Sequence, residues 1–167
     1  MSAFSSPDRP LKELMAAFPC VPNSIDELRE KMTSLPVTKR FDDRQIEILY
    51  SIAHSVYEQG KIEIASGMFQ LLLIYRPVDS KILTALGICK KRLENFDDAI
   101  NIFSLLFFLD PANLNSVQHL AECLAARGST NEALEILNKL IKFSEEKKQF
   151  KTVNSRASIL KEMINQK

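Results

Sequence analysis

The stretches LYSIAHSVYEQGKIEIASGMFQLLLIYRP (49–77), LTALGICKKRLENFDDAINIFSLLFFLDP (83–111) and VQHLAECLAARGSTNEALEILNKLIKFSE (117–145) are one pattern written three times, each copy 34 residues after the last. Small residues recur at Ala53, Gly87 and Ala121, and again at Ala65, Ala99 and Ala133. Four residues after the second small position stands a large apolar one: Phe69, Phe103 and Leu137. Leu49, Leu83 and Val117 keep the step, as do Ile52, Leu86 and Leu120, Gly60 and Gly128, and the closing Pro77 and Pro111. Each column has a physical reading. Two antiparallel helices approach closely only where a side chain is nearly absent, so the small residues are the contact points inside each hairpin. The large residues fill the space beside those contacts, each burial being worth roughly 1.5–3 kcal/mol. The prolines end a helix by removing a backbone donor and restricting the residue before them.

A 34-residue helix–turn–helix unit of this kind is the tetratricopeptide repeat. The chain is therefore expected to be all-α, a tetratricopeptide-repeat solenoid of three helical hairpins, with N-terminal helices before it and a C-terminal capping helix after it. Three repeats is the minimum that stacks stably. Helices are predicted over about 45–59, 62–75, 80–93, 96–109, 113–127 and 130–143, with the capping helix over about 145–164. The third copy has Glu145 where the others have proline, so its second helix is expected to run on, or bend only slightly, into the cap. Ile52 is expected on the hairpin face of its helix with Leu49, Ala53 and Val56.

Proline and charge place the boundaries. Residues 1–45 hold five of the seven prolines and carry no net charge. They read as loops with two short helices, 8–18 and 24–35, the second opened by a capping box of Ser24 and Glu27, and as a possible dimerisation region. These early helices either cover the first end of the solenoid or pair with another copy. Residues 46–145 hold the repeats and 146–167 a solvated basic helix, with net charges of −3 and +4 respectively.

The composition narrows the function. No apolar run approaches the roughly twenty residues that span a bilayer, and MSAFSSPDRPLKEL at the start builds no signal-like apolar stretch. Membrane insertion is not expected. The cysteines Cys20, Cys89 and Cys123 form no close pair, which suits a reducing compartment, and the cytoplasm is the expected location. Lys and Arg number 22 against 21 Asp and Glu, so no long-range field recruits nucleic acid or an anionic surface. Binding must come from shape and apolar contact.

The first helix of each repeat carries a second face that the hairpin does not need. Tyr50, His54 and Tyr57 lie roughly 115° from the Leu49–Val56 face. A step of 34 brings Thr84, Ile88 and Lys91, and a further step Gln118, Glu122 and Ala125. First helices line the concave side of such stacks, so these residues are expected to form a groove, aromatic at one end and polar at the other. It suits an extended peptide: tyrosines pack against apolar anchors, while Gln118 and Glu122 hold backbone groups. Packing of Tyr50 and Tyr57 against the N-terminal segment is the competing reading. His119 and Cys123 share a helix face four residues apart, but without a third ligand they make no metal site.

The segments 49–75, LGICKKRLENFDDAI at 86–100 and above all HLAECLAARGSTNEA at 119–133 resemble the class II chaperones of bacterial type III secretion systems, small cytoplasmic tetratricopeptide proteins that hold pore-forming translocator subunits before export. The likeness covers about residues 42–145. It implies that an extended segment near a translocator's N-terminus lies in the concave groove with apolar and proline anchors, that Tyr50 and Tyr57 are the family's groove tyrosines, and that the N-terminal helices dimerise. His54 stands where relatives often have another aromatic. The implied activity is holding: keeping a client soluble and unpaired until secretion, with no cofactor.

Other classes fit less well. A general tetratricopeptide adaptor for another peptide is the alternative. A clamp for a C-terminal carboxylate needs converging Lys, Asn and Arg, and its places are taken by Tyr50, His54, Ala85 and Asn115. An enzyme needs a convergent acid, base or nucleophile, and the chain offers two histidines and no glycine-rich phosphate loop. The basic residues Lys147, Lys148, Lys151, Arg156 and Lys161 lack the aromatic platform of a nucleic-acid surface.

Overall fold

The computed structural model describes residues 34, 39–111, 113–145 and 151–166. The predicted helices 8–18 and 24–35 lie outside them, Ser34 apart. Within the described residues seven helices follow one another: α1 Asp43–Glu58, α2 Ile62–Tyr75, α3 Ser80–Arg92, α4 Phe96–Leu109, α5 Leu114–Arg127, α6 Thr130–Glu145 and α7 Lys151–Asn165.

Local chemistry sets the helix ends. Asp42 caps α1 by accepting from the Gln45 N–H at 2.7 Å, while the Gln45 side chain accepts from the Asp42 N–H at 3.0 Å. Asp79 caps α3, accepting from the N–H groups of Lys81 and Ile82. α2 and α4 stop two residues before Pro77 and Pro111, and Arg76 and Asp110 leave the helical region, with φ/ψ of −135°/72° and −143°/85°, the α conformation being disfavoured before a proline. Between the helices of each hairpin, Gly60 and Gly128 turn the chain with φ of 80° and 97°, and Glu94 occupies the same place in the middle repeat with φ of 58°.

Helices adjacent in sequence pack against each other along the whole stack, and α7 lies on α6 and reaches α5. The small columns are fully buried: Ala53, Ala65, Ala99, Ala121 and Ala133 have no exposed surface. Phe69, Phe103 and Leu137 fill the interior beside them. At Gly87 the approach is closest, since an added Cβ would sit 2.8 Å from Cζ of Phe103. Ile82 and Leu86 of α3 join Ala53, Phe69 and Leu72 in one cluster. Leu120 and Ala121 of α5 join Leu83, Ala99 and Phe103 in the next, which continues through Leu140 to Val153 and Ala157 of α7.

One packing expectation fails. Ile52 is not on the hairpin face: it is 48% exposed, whereas Leu86 and Leu120 at the same repeat position are 4% and 1% exposed. That position is buried by the preceding repeat, and none of the described residues lies over Ile52.

Candidate peptide-binding groove

Tyr50, His54 and Tyr57 stand on successive turns of α1 as a row of rings, with 6.1 Å between neighbouring centroids. Tyr50 rests on the buried Phe69 at 5.5 Å. Facing them on α3 are Thr84, Ala85 and Ile88. Together with Lys81 these residues enclose a cavity of about 260 Å³. That is below the usual range for a pocket holding a drug-sized ligand or cofactor, and right for one or two large side chains of a bound chain. The wall is mainly apolar, with Tyr50, His54, Tyr57 and Lys81 bringing polar groups to it, while the Thr84 hydroxyl donates to the Ser80 carbonyl of its own helix at 2.7 Å.

Cations cover both tyrosines. Lys81 Nζ lies 4.2 Å above the Tyr50 ring and is held by Glu47 Oε2 at 2.7 Å. The Arg92 guanidinium lies 5.1 Å from the Tyr57 ring. Such contacts contribute about 0.5–1 kcal/mol at exposed sites, enough to orient the rings. Burial pushes the Tyr50 phenol upward, so it remains a protonated donor.

The polar end is organised differently from expectation. Gln118 is buried, and its amide donates to Glu122 Oε1 at 3.1 Å. The other oxygen of Glu122 accepts from Lys91 Nζ at 2.6 Å, and His119 Nδ1 lies 3.1 Å from both groups. Nδ1 serves one partner at a time: unprotonated it accepts from Lys91, protonated it donates to Glu122. Burial alone would push the Glu122 carboxyl upward, but hydrogen bonds from His119 and Lys91, with their charges, hold it at about 2. The His119 ring stacks on Phe103 at 5.0 Å, which anchors the cluster to the core. Lys91, Gln118 and Glu122 therefore engage one another and form an ionic rung between α3 and α5. Gln118 and Glu122 are not held ready for a peptide backbone, because helix spacing brings these long side chains within reach of each other. Ala125, the ninth predicted residue, is half-buried against the core.

The sequence-predicted set thus divides in two, with Tyr50, His54, Tyr57, Thr84 and Ile88 around the cavity and Lys91, Gln118 and Glu122 in the rung. Sequence reasoning missed Lys81, Phe69 and His119. Lys81 stands one repeat after its partner Glu47, but the column holds Glu, Lys and Asn and carries no signal for a residue over the Tyr50 ring. In the sequence His119 stands out beside Cys123 and as the first residue of the HLAECL segment, and neither feature marks it as a partner of Lys91 and Glu122. Cys123 is fully buried and its thiol is pushed up to about 11 by that burial, and among the described residues no group of three or more His, Cys, Asp or Glu gathers around a metal position. No described helix is long and apolar enough to cross a membrane.

Comparison with known proteins identifies relatives of the chain in sequence and in fold. Residues 46–79 match the tetratricopeptide repeat family. The chain is 33% identical over 122 residues to the low calcium response locus protein H of Yersinia pestis, covering 73% of each. Its fold matches the Yersinia enterocolitica type III secretion translocator chaperone SycD with a TM-score of 0.67 and 31% identity, over 75% of this chain and 87% of SycD. SycD is known in complex with a peptide of the translocator YopD and as an alternative dimer. PcrH of Pseudomonas aeruginosa shares the fold with a TM-score of 0.69 at 21% identity, over 78% of this chain and 99% of PcrH. With a repeat stack, a groove cavity and a relative at this level of identity over most of its length, the chain belongs to the family of tetratricopeptide-repeat chaperones of type III secretion translocators.

Proposed function

We propose that this protein holds a translocator subunit by seating an extended N-terminal segment of it along the concave groove, in the bacterial cytoplasm, and keeps it soluble and unpaired before secretion. The observation that carries this reading is the mainly apolar cavity among Tyr50, His54, Tyr57, Thr84 and Ile88, whose size suits a large apolar anchor. Lys91, Gln118 and Glu122 bound the groove beyond it as a fixed rung, past which the bound segment must run. The work is binding and release, not catalysis. A micromolar complex corresponds to about 8 kcal/mol, which a few buried anchors supply and an export apparatus can overcome. Residues 46–145 form the holding unit in this reading, with 1–45 and 146–167 as its flanks. Homodimerisation, known for SycD, is carried over as a property of the whole chain.

Co-expression with the translocator of the same secretion system tests the reading. Tyr50→Ala with Tyr57→Ala removes two ring walls and is expected to weaken retention at least about 30-fold, the effect of losing about 2 kcal/mol at a binding hot spot. Tyr50 also touches Phe69, so Ala85→Leu serves as a second variant that fills the cavity and leaves both tyrosines in place. Undiminished retention by both variants, with helical circular dichroism intact, would refute the groove assignment.

A further inference from the structure

The cations of α3 are matched by carboxylates with one exception. Lys81 pairs with Glu47 at 2.7 Å, Lys90 with Asp98 at 3.0 Å and Lys91 with Glu122 at 2.6 Å. Arg92 is exposed and lies over Tyr57, yet no Asp or Glu among the described residues forms an ion pair with it. The acid nearest to Tyr57 in sequence, Glu58, lies instead 3.4 Å from His54 Nδ1. The contact with the ring restricts the side chain but uses none of the guanidinium's N–H donors. Attraction to the carbonyl end of α3 does not account for the placement either, because Lys90 and Lys91 already serve that turn. Tyr57 walls the cavity, so Arg92 stands at its edge as an oriented cation with its donors unused.

An apolar cavity accepts any large apolar side chain of suitable size, so by itself it does not fix the register of a bound segment. A guanidinium receiving a carboxylate is directional and does. Lys81 and Lys91 cannot take that part, since Glu47 and Glu122 already hold their ammonium groups. We propose that Arg92 is a specificity residue of the groove, whose guanidinium pairs with a carboxylate of the bound segment beside its apolar anchor. The inference rests on the groove reading above and adds a charge requirement to it. The guanidinium is 5.1 Å from the Tyr57 ring, and an extended chain advances about 3.3 Å per residue. The Asp or Glu therefore lies about one to three residues from the anchor. A segment equally apolar but without that acid seats less tightly, and the pair selects one register among several apolar ones.

Fluorescence anisotropy with labelled peptides tiled across the N-terminal region of the translocator of the same secretion system, titrated with the full chain, tests this. The tightest peptide is expected to carry an Asp or Glu beside its apolar anchor. Replacing that acid by its amide, or Arg92→Gln in the chain, is expected to weaken binding about 3–10-fold, and the two changes together no more than either alone. Arg92→Glu should bind less tightly again and recover with a peptide carrying Lys in place of the acid. Unchanged affinity in Arg92→Gln, additive losses in the paired change, or no recovery in the charge swap would each overturn the inference and leave the groove standing. If no peptide binds, or if Tyr50→Ala with Tyr57→Ala binds as tightly as the natural chain, the groove reading fails and this inference with it.

Discussion

The closest approach in the stack makes the sharpest test of the packing argument. A methyl group added at Gly87 would lie 2.8 Å from Cζ and 2.9 Å from Cε1 of Phe103, and 3.1 Å from Cγ2 of Ile102. Phe103 is fully buried and its ring is held against His119, so the ring tip has little room to retreat. Two effects compete in Gly87→Ala. Helix propensity favours alanine by about 1 kcal/mol, whereas overpacking a tight core costs about 1–3 kcal/mol. The net expectation is a loss of roughly 0–2 kcal/mol. Gly67, also within a helix but exposed and with nothing within 4 Å of an added Cβ, is the matched control: Gly67→Ala should gain about 0.5–1 kcal/mol. Urea unfolding followed by circular dichroism at 222 nm measures both. The decisive step is the double variant. With Phe103→Leu removing the ring tip, Gly87→Ala should change sign and stabilise relative to Phe103→Leu alone, a coupling on the order of 1–3 kcal/mol. Stabilisation by Gly87→Ala in the otherwise unchanged protein, equal to that at Gly67, would show that the hairpin does not need a missing side chain at this column.

Two further outcomes follow from particular residues. Glu94 takes the left-handed turn position that glycine fills at residues 60 and 128, so Glu94→Gly should raise stability by roughly 0.5–1 kcal/mol, and an unchanged or lower urea midpoint would contradict that strain. Glu122 has its carboxyl held at about 2 against an ordinary value of 4.5; a depressed folded value means its contribution is complete above pH 4.5 and is lost as pH falls toward 2. The stability advantage of the natural protein over Glu122→Gln should therefore shrink across that window, and a difference that stays constant from pH 5 to 2 would show that the ionic rung adds nothing.

Much of this molecule is written in the period of its sequence. Burial in a solenoid depends only on the neighbouring repeat, so columns such as Ala53, Gly87 and Ala121 must recur at a fixed step, and a reader of the chain can place hairpins, core and groove row from them. The helix start at Ser80, capped by Asp79, and the stops before Pro77 and Pro111 follow from capping and backbone chemistry, which are equally local. Side chains that cross between helices are another matter. Lys91 meets His119 and Glu122 across separations of 28 and 31 residues, which are not the repeat, because the tips of long side chains are placed by the offset and tilt of two helices. Only the tertiary structure could show that the polar end of the predicted groove is closed upon itself, and that Lys81 and Arg92 lie over the tyrosines. Likewise the sequence marks Ile52 as apolar in step with Leu86 and Leu120, but exposure at the first repeat is decided by what stacks before it, and a period carries no information about its own missing neighbour.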